Sequence, residues 1–374
     1  MNPAPRRLLL AASAFALTHV SASAQTPVAP PPAGPLSSVS VYGLVDVAAY
    51  DKQLAGERKL KALQSGGLTT SRFGIGGGED LGGGLRALFD LSGFIRLDTG
   101  DAGRNGTDPF WSRYAFVGLA STDLGTIRLG RISTATFLSE LAFGAFLDST
   151  NLGPYLLHTF QPSGGQPTIT ANGFLDSAWN NSISYTLPTT ISGLPGLIAS
   201  LQVAAGEGTL GRRVGGGVNY RSDRFGLSFT FDDVSQDNLP VGAPTAALAT
   251  AARPQYTANK IKTYQGGAYY DFNVVRLWAQ MNQTTFSNAT PAEIKLTTSA
   301  LSATVPLGLG SVIAEWAHTN QQRTAVARLE RDTYGLGYDY FLSKRTDLYG
   351  VVLHDKVTNL STGTGWALGV RHRF

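Results

Sequence analysis

A chain of 374 residues with 44 glycines, no cysteine and only 15% charged residues excludes a disulfide framework and thiolate metal sites, and its glycines follow no collagen period. The formal charge of +4 becomes +2 when Arg6 and Arg7 are set aside (4 − 2 = 2), too small a balance to argue for nucleic acid. Beyond the N-terminus no window reaches the roughly 18 consecutive apolar residues of a membrane helix.

Residues 1–24 read as a secretory signal peptide. Arg6 and Arg7 form the positive region, Leu8 to Leu17 the apolar stretch, and Ala22-Ser23-Ala24 a small-residue cleavage site before Gln25. Residues 25–37, which contain PVAPPPAGP, form a proline-rich lead-in expected to be extended and unpacked. From residue 38 to 374 strand patterns follow one another with no helical period of comparable length. They fall at 38–50, 68–78, 83–97, 111–120, 125–131, 180–187, 196–206 and 214–221, then at 224–232, 263–272, 274–282, 292–301, 308–318, 332–342, 346–357 and 364–374. Sixteen strands are therefore expected.

The connections alternate in length. Short links such as Glu79-Asp80-Leu81-Gly82, Ser121 to Leu124, Ser222-Asp223 and Ser343-Lys344-Arg345 are separated by links that include long ones at 51–67, 132–179, 233–262 and 319–331. An even number of antiparallel strands, with short turns on one rim and long loops on the other, is what a closed membrane barrel requires. Two soluble β-sandwiches are the alternative, and side-chain polarity argues against them. In LRALFDLS, Leu85, Ala87, Phe89 and Leu91 oppose Arg86, Asp90 and Ser92; in DRFGLSFTFD, Phe225, Leu227, Phe229 and Phe231 oppose Arg224, Ser228, Thr230 and Asp232. A sheet covered on both faces would bury those charges at high cost, whereas a water-filled lumen hydrates them. Tyr114, Phe116, Tyr338, Tyr340, Tyr349, Trp366 and Phe374 lie near strand ends, where an aromatic girdle at the lipid interface is expected. Phe374 would close the last strand at the short-turn rim.

No catalytic or cofactor motif stands out. CxxC and HExxH are absent, the five histidines are dispersed, and GEDLGGG lies between two alternating strands with no following helix and lysine to make a phosphate loop. Neither an enzyme nor a bound cofactor is expected.

The stretches SSVSVYGLVDV at 37–47, SRFGIGGGEDLGGGLRALFDL at 71–91, SRYAFVGLASTDLGTIRLGR at 112–131, GYDYFLSKRTDLYG at 337–350 and WALGVRHRF at the end together resemble the general porins of Gram-negative bacteria, in particular their beta-proteobacterial branch. The resemblance implies an all-β, 16-stranded transmembrane barrel in the outer membrane, a homotrimer embedded in outer-membrane lipid, passing small hydrophilic solutes by diffusion. It also implies that the barrel-assembly machinery reads the terminal Phe374. In that family the third long loop folds inward as a constriction, here 132–160. This loop is unusually apolar, with Glu140 and Asp148 as its acids, and Ser92 stands where the family commonly carries an acid.

Charge in a narrow lumen selects ions. Strand parity sets Arg72 opposite Phe73 and Ile75, and Arg113 opposite Tyr114 and Phe116, so both are expected in the lumen. The resemblance places Arg131 at the constriction wall, completing a basic ladder. Asp46, Arg86, Asp90 and Glu315 are further lumenal candidates, and Glu140 and Asp148 are the expected counter-charges on the loop. A passive anion-preferring channel is the leading expectation. The alternatives are a porin selective for a small organic anion, to which the apolar loop is suited, and a structural or adhesive barrel.

Overall fold

Side chains that alternate between apolar and polar are satisfied by strands whose two faces meet different media. The computed structural model describes residues 37–106, 108–160, 177–188, 194–206, 211–241, 256–288, 293–323 and 326–374. The expected signal peptide at 1–24, and the lead-in at 25–37 except Ser37, lie outside the described residues. The strands of the first half are β1 (Ser37–Lys52), β2 (Leu60–Ser65), β3 (Arg72–Gly82), β4 (Leu85–Phe94), β5 (Tyr114–Ser121), β6 (Gly125–Ser133), β7 (Ala178–Thr186) and β8 (Leu197–Ala204). Those of the second half are β9 (Arg213–Arg221), β10 (Phe225–Val241), β11 (Tyr256–Asp271), β12 (Arg276–Ser287), β13 (Glu293–Leu307), β14 (Gly310–Arg323), β15 (Val326–Phe341), β16 (Thr346–Val357) and β17 (Gly363–Arg373). Two short helices, α1 (Ala135–Ala142) and α2 (Pro154–Thr159), lie between β6 and β7.

All 17 strands form one antiparallel sheet, but β2 pairs only with the upper half of β1, where Val47 to Lys52 face Ser65 to Leu60. The lower half of β1, Ser37 to Leu44, pairs with β3. Sixteen strands therefore close the barrel, and β2 is a hairpin arm folded back from the first long loop. The seam joins β1 to β17, with Leu44 opposite Arg373 and Lys52 opposite Gly365. At its foot Gly43 and Phe374 exchange both backbone hydrogen bonds, each 3.0 Å long. The Phe374 ring lies over Gly43, in the space a Cβ there would occupy. Such closure pairs every strand edge, which hydrocarbon would otherwise leave unsatisfied at several kcal/mol per group.

Turns follow from local chemistry. The β3–β4 reversal passes through Gly82, Gly83 and Gly84, all at positive φ, a conformation that costs a residue with a Cβ about 1–2 kcal/mol. Several strands run further than their apolar alternation suggests. Where a link is expected at 319–331, β14 runs on to Arg323 and β15 starts at Val326, and β10 and β11 extend to Val241 and back to Tyr256. Beyond the hydrocarbon band both faces meet water, so polar residues interrupt the period while the backbone ladder continues.

The two faces separate cleanly. Val117, Leu227, Phe229, Leu301, Leu336 and Leu368 point outward and are between 52% and 59% exposed, whereas Asp46, Ser92, Gln265, Thr298 and Thr333 point inward and are buried. Tyr338, Tyr340, Trp366 and Phe374 share the outward side near the strand ends. Three aromatics assigned to the girdle belong inside instead. Tyr114 and Phe116 stand opposite Ser92 and Asp90 on the lumenal face, and Tyr349 donates to Asp46 at 2.5 Å. Parity fixes which residues share a face but not which face meets lipid, and β5 keeps its apolar outer face through Val117 and Leu119.

Two outcomes are expected of the folded protein. Phe229→Arg should lower stability by about 2–4 kcal/mol in urea titrations in lipid vesicles, the cost of a charge on the lipid face near the midplane. Gly43→Val should displace the Phe374 ring and cost about 1–3 kcal/mol as an overpacked site, visible as a smaller fraction of heat-modifiable barrel on gels.

Candidate functional site

The long connection between β6 and β7 turns into the barrel. Thr134 caps α1, accepting from the Phe137 amide at 3.1 Å, and α1 lies along β9, β10 and β11. The chain crosses β12 to β14, where Ala145 N donates to Ser302 Oγ at 3.1 Å. It then reaches the opposite wall: Ser149 Oγ donates to the Gly67 carbonyl at 2.7 Å, and Asn151 Nδ2 to the Gly66 carbonyl at 2.7 Å. Helix α2 returns against β13, β14 and β15. The apolar residues that make this loop unusual are its packing surface: Phe143, Phe146, Leu152 and Leu157 join Tyr269, Trp278, Ile313 and Val351 in one buried cluster. Greasy side chains thus face the wall and fix the loop, leaving its polar edge to the channel.

The predicted arginines gather on the β3–β6 wall. Arg72 lies mid-height, opposite Leu44 in β1, and donates to Asp148 at 2.5 Å and to the Thr70 carbonyl at 3.1 Å. Arg113 sits one residue ahead of β5, outside strict alternation, so it reaches the same lumen as Tyr114 rather than the face opposite; its guanidinium lies 4.4 Å from that ring's centroid. One of its Nη atoms is buried with no partner among the described residues. Arg131 donates from Nε to the Ser112 carbonyl at 2.7 Å and from Nη1 to Asn180 Oδ1 at 2.7 Å. Backbone and amide oxygens hold its guanidinium in place.

The acids divide differently from expectation. Asp148 is the loop counter-charge, bound to Arg72. Glu140 is not: it lies behind α1, accepting from Asn282 Nδ2 at 3.1 Å, because the amphipathic turn that points Leu138 and Leu141 elsewhere turns it to the wall. Asp46 is wholly buried and accepts from Gly67 N at 3.0 Å, Thr69 N at 2.8 Å and the Tyr349 hydroxyl, so it clamps the segment after β2. Glu315 accepts from Tyr155 N at 2.7 Å and holds the first turn of α2. Asp90 is bound by the Tyr42 hydroxyl at 2.5 and 2.7 Å. Arg86 stands near the short-turn rim, opposite Asp80, away from the neck.

Several contributors escaped the sequence reading. Arg128 alternates with Ile127 and Leu129, so parity alone could have placed it in the lumen; it covers the Phe116 ring at 5.7 Å. Arg331 and Asp355, both 0% exposed, pair at 2.8 and 3.2 Å, and Arg331 also reaches the Leu157 carbonyl of α2 at 3.3 Å. Arg371 bridges Asp347 at 2.9 Å and Asp339 at 2.7 Å. Each residue carries a parity signal, but no sequence signal shows that its partner is two strands away or on the loop.

His158 completes the loop's anchorage, its ring nitrogens 2.8 Å from Thr319 Oγ1 and 2.7 Å from Thr333 Oγ1. Burial, and then the nearby Arg331 charge, hold this imidazole well below its usual range. The unfolded chain takes up a proton near pH 6.5 while the folded one resists, so the contribution is present above that pH and lost as pH falls. In melting curves His158→Gln should be less stable than the parent at pH 7.5, and the gap should close toward pH 5.

Residues 10–360 match the Gram-negative porin family. Outer membrane porin protein 32 of Delftia acidovorans is 32% identical over 363 residues, covering 90% of this chain and 94% of that protein. An outer membrane porin of Bordetella pertussis is 24% identical over 420 residues, covering 99% of this chain and 100% of that protein. Among solved structures, the anion-selective porin from Comamonas acidovorans is similar with a TM-score of 0.71 and 27% identity, over 90% of this chain and 100% of that one. OmpT of Vibrio cholerae in its trimer form shares the fold, with a TM-score of 0.68 at 12% identity over 90% of this chain and 99% of that one. The chain belongs to the Gram-negative porin family, and is an outer-membrane β-barrel channel rather than an enzyme.

Proposed function

We propose that this porin passes small hydrophilic solutes with a preference for anions. One observation carries the reading: Arg72, Arg113, Arg128 and Arg131 gather on the β3–β6 wall, where Asp148 pairs with Arg72 and Asp90 is bound by the Tyr42 hydroxyl. Asp108 is already taken by Arg104, at 2.8 and 2.9 Å, and Asp148 by Arg72. A cluster of fixed positive charge in a narrow, poorly screened lumen lowers the barrier for anions. The described anion selectivity of the Comamonas acidovorans porin is in line with this reading.

A second observation favours organic anions within that class. Tyr114 and Phe116 face the lumen edge-to-face at 5.7 Å, and Arg113 and Arg128 lie over them. Such a surface offers a carboxylate its charge and an apolar body its rings. Assembly as a homotrimer, removal of residues 1–24, and recognition of Phe374 by the barrel-assembly machinery belong to the same proposal; the trimer form recorded for Vibrio cholerae OmpT supports the first.

In a planar bilayer under a salt gradient the reversal potential should favour chloride over potassium. Arg113→Gln and Arg72→Gln should each move it toward potassium, and the difference should flatten near 1 M salt, where screening acts within about 3 Å. Cation preference in the parent would overturn the reading, as would variants indistinguishable from it. No current at all would favour a structural barrel. Block at low concentration by an aromatic carboxylate, but not by acetate, would support the organic-anion class. Chemical cross-linking that yields only monomers would reject the trimer.

A further inference from the structure

Of the glycines in GIGGG at 74–78, Gly74 and Gly76 fall on the lumenal face of β3. Gly74 stands between Tyr42 of β1 and Ser92 of β4, and Gly76 between Ser40 and Asp90. The Tyr42 ring lies across this bare backbone: a Cβ on Gly74 would come within 2.7 Å of its Cζ, and one on Gly76 within 3.5 Å of its Cε1. The missing side chains leave a lane across the strand. Through it the Tyr42 hydroxyl reaches Asp90 on the far side of β3, 2.7 Å from Oδ1 and 2.5 Å from Oδ2. One hydroxyl hydrogen is thus shared between both oxygens of the carboxylate.

The cation whose charge bears on both Tyr42 and Asp90 is Arg113, which donates from its backbone N–H to the Ser92 carbonyl at 3.0 Å and so sits beside the same stretch of β4. Among the described residues it forms no ion pair. Asp148 is bound to Arg72 and Asp90 to Tyr42, while Arg113 Nη1 is buried with no partner among the described residues. Asp90 is 8% and Arg113 7% exposed, so water would screen their attraction only weakly if they met. A carboxylate deprived of its hydroxyl donor would turn to that guanidinium, because charge-assisted pairs are the stronger hydrogen bonds. We propose that Tyr42 is a specificity-determining residue: it holds Asp90 across Gly74 and Gly76 and keeps that carboxylate from pairing with Arg113, whose charge stays available to passing anions. Tyr42 is thus a positioning residue within the anion-preferring reading proposed above, on which this role rests. It alters where charge lies in the lumen, not how much there is.

The test compares reversal potentials in planar bilayers, under one salt gradient, for the parent, Tyr42→Phe, Asp90→Asn, Arg113→Gln and the two double variants that add Tyr42→Phe to the others. Tyr42→Phe removes one oxygen and keeps the ring. It should shift the reversal potential toward potassium, in the direction of Arg113→Gln and by no more than that variant does. Combined with Asp90→Asn it should add no shift, because no carboxylate is left to release, and combined with Arg113→Gln it should add none, because no guanidinium is left to cancel. A merely structural role for Tyr42 would give the same shift in every background. If Tyr42→Phe fails to fold, Gly74→Ala, whose methyl takes the place of the ring on β3, carries the same comparison. The role is overturned by a variant that selects as the parent does, by a shift of equal size in the Asp90→Asn background, or by a shift toward chloride, in which the released Asp90 takes up a proton instead of pairing. Each comparison is a difference between variants and holds whichever ion the parent prefers. A cation-preferring parent would reject the anion reading, whereas equal shifts with and without Asp90 would reject the role of Tyr42 alone.

Discussion

In hydrocarbon no peptide group can fall back on water, so a ladder that begins at Gly43 has to be completed somewhere, and it is completed at Phe374. The even strand number, the antiparallel order and the alternation of faces all descend from this requirement. So does the lumen. A ring of sixteen tilted strands is too wide for its own side chains to fill, and the inward residues are then free to be polar. Arg331, Arg371 and Asp46 could not lie inside a barrel packed solid with aliphatics without far greater cost.

The width creates a second requirement, because a bare ring of this size would discriminate poorly. The loop between β6 and β7 supplies the narrowing, and two kinds of contact hold it. Phe143, Phe146, Leu152 and Leu157 give it an apolar underside matched to Tyr269, Trp278 and Ile313. Glu315, His158, Arg331 and Ser149 fix its polar backbone at defined points on the wall. Apolar burial supplies most of the adhesion and the hydrogen bonds set the register. The opposite wall carries guanidiniums whose partners include carbonyls and amides as well as acids.

Fold and site were unequally legible in the sequence. Leu85, Ala87, Phe89 and Leu91 against Arg86, Asp90 and Ser92 reveal a strand with two media, and sixteen such patterns reveal a barrel. The same parity brings Arg72 to the lumen because β3 is regular there. It fails to separate Arg113, which precedes its strand, from Tyr114 and Phe116: all three lie on the lumenal side, and both faces of β5 are apolar enough to be read either way. Glu140 shows the deeper limit. Its presence on an infolded loop is plain, but which side of α1 it takes depends on how Phe137 and Leu138 dock, a tertiary fact that no local period encodes. Asp46 and Glu315 were identified as inward residues, yet their partners, the Gly67 and Thr69 amides and the Tyr155 amide, lie on loops whose path only the folded chain defines.

The pairing of Gly43 with Phe374 also makes the molecule a ring in connectivity as well as in shape. Its first and last strands are neighbours in space and open at the same rim as the turns through Gly83, Asp223 and Lys344. A domain appended before β1 and another appended after β17 would therefore face one compartment, and neither would obstruct the mouth carrying the long loops. The seam is also one hairpin junction among eight on that rim, distinguished only by the missing peptide link. Joining it and cutting at another short turn would rename the strands without altering a single ladder, so the order of the strands along the chain is incidental to the channel they enclose.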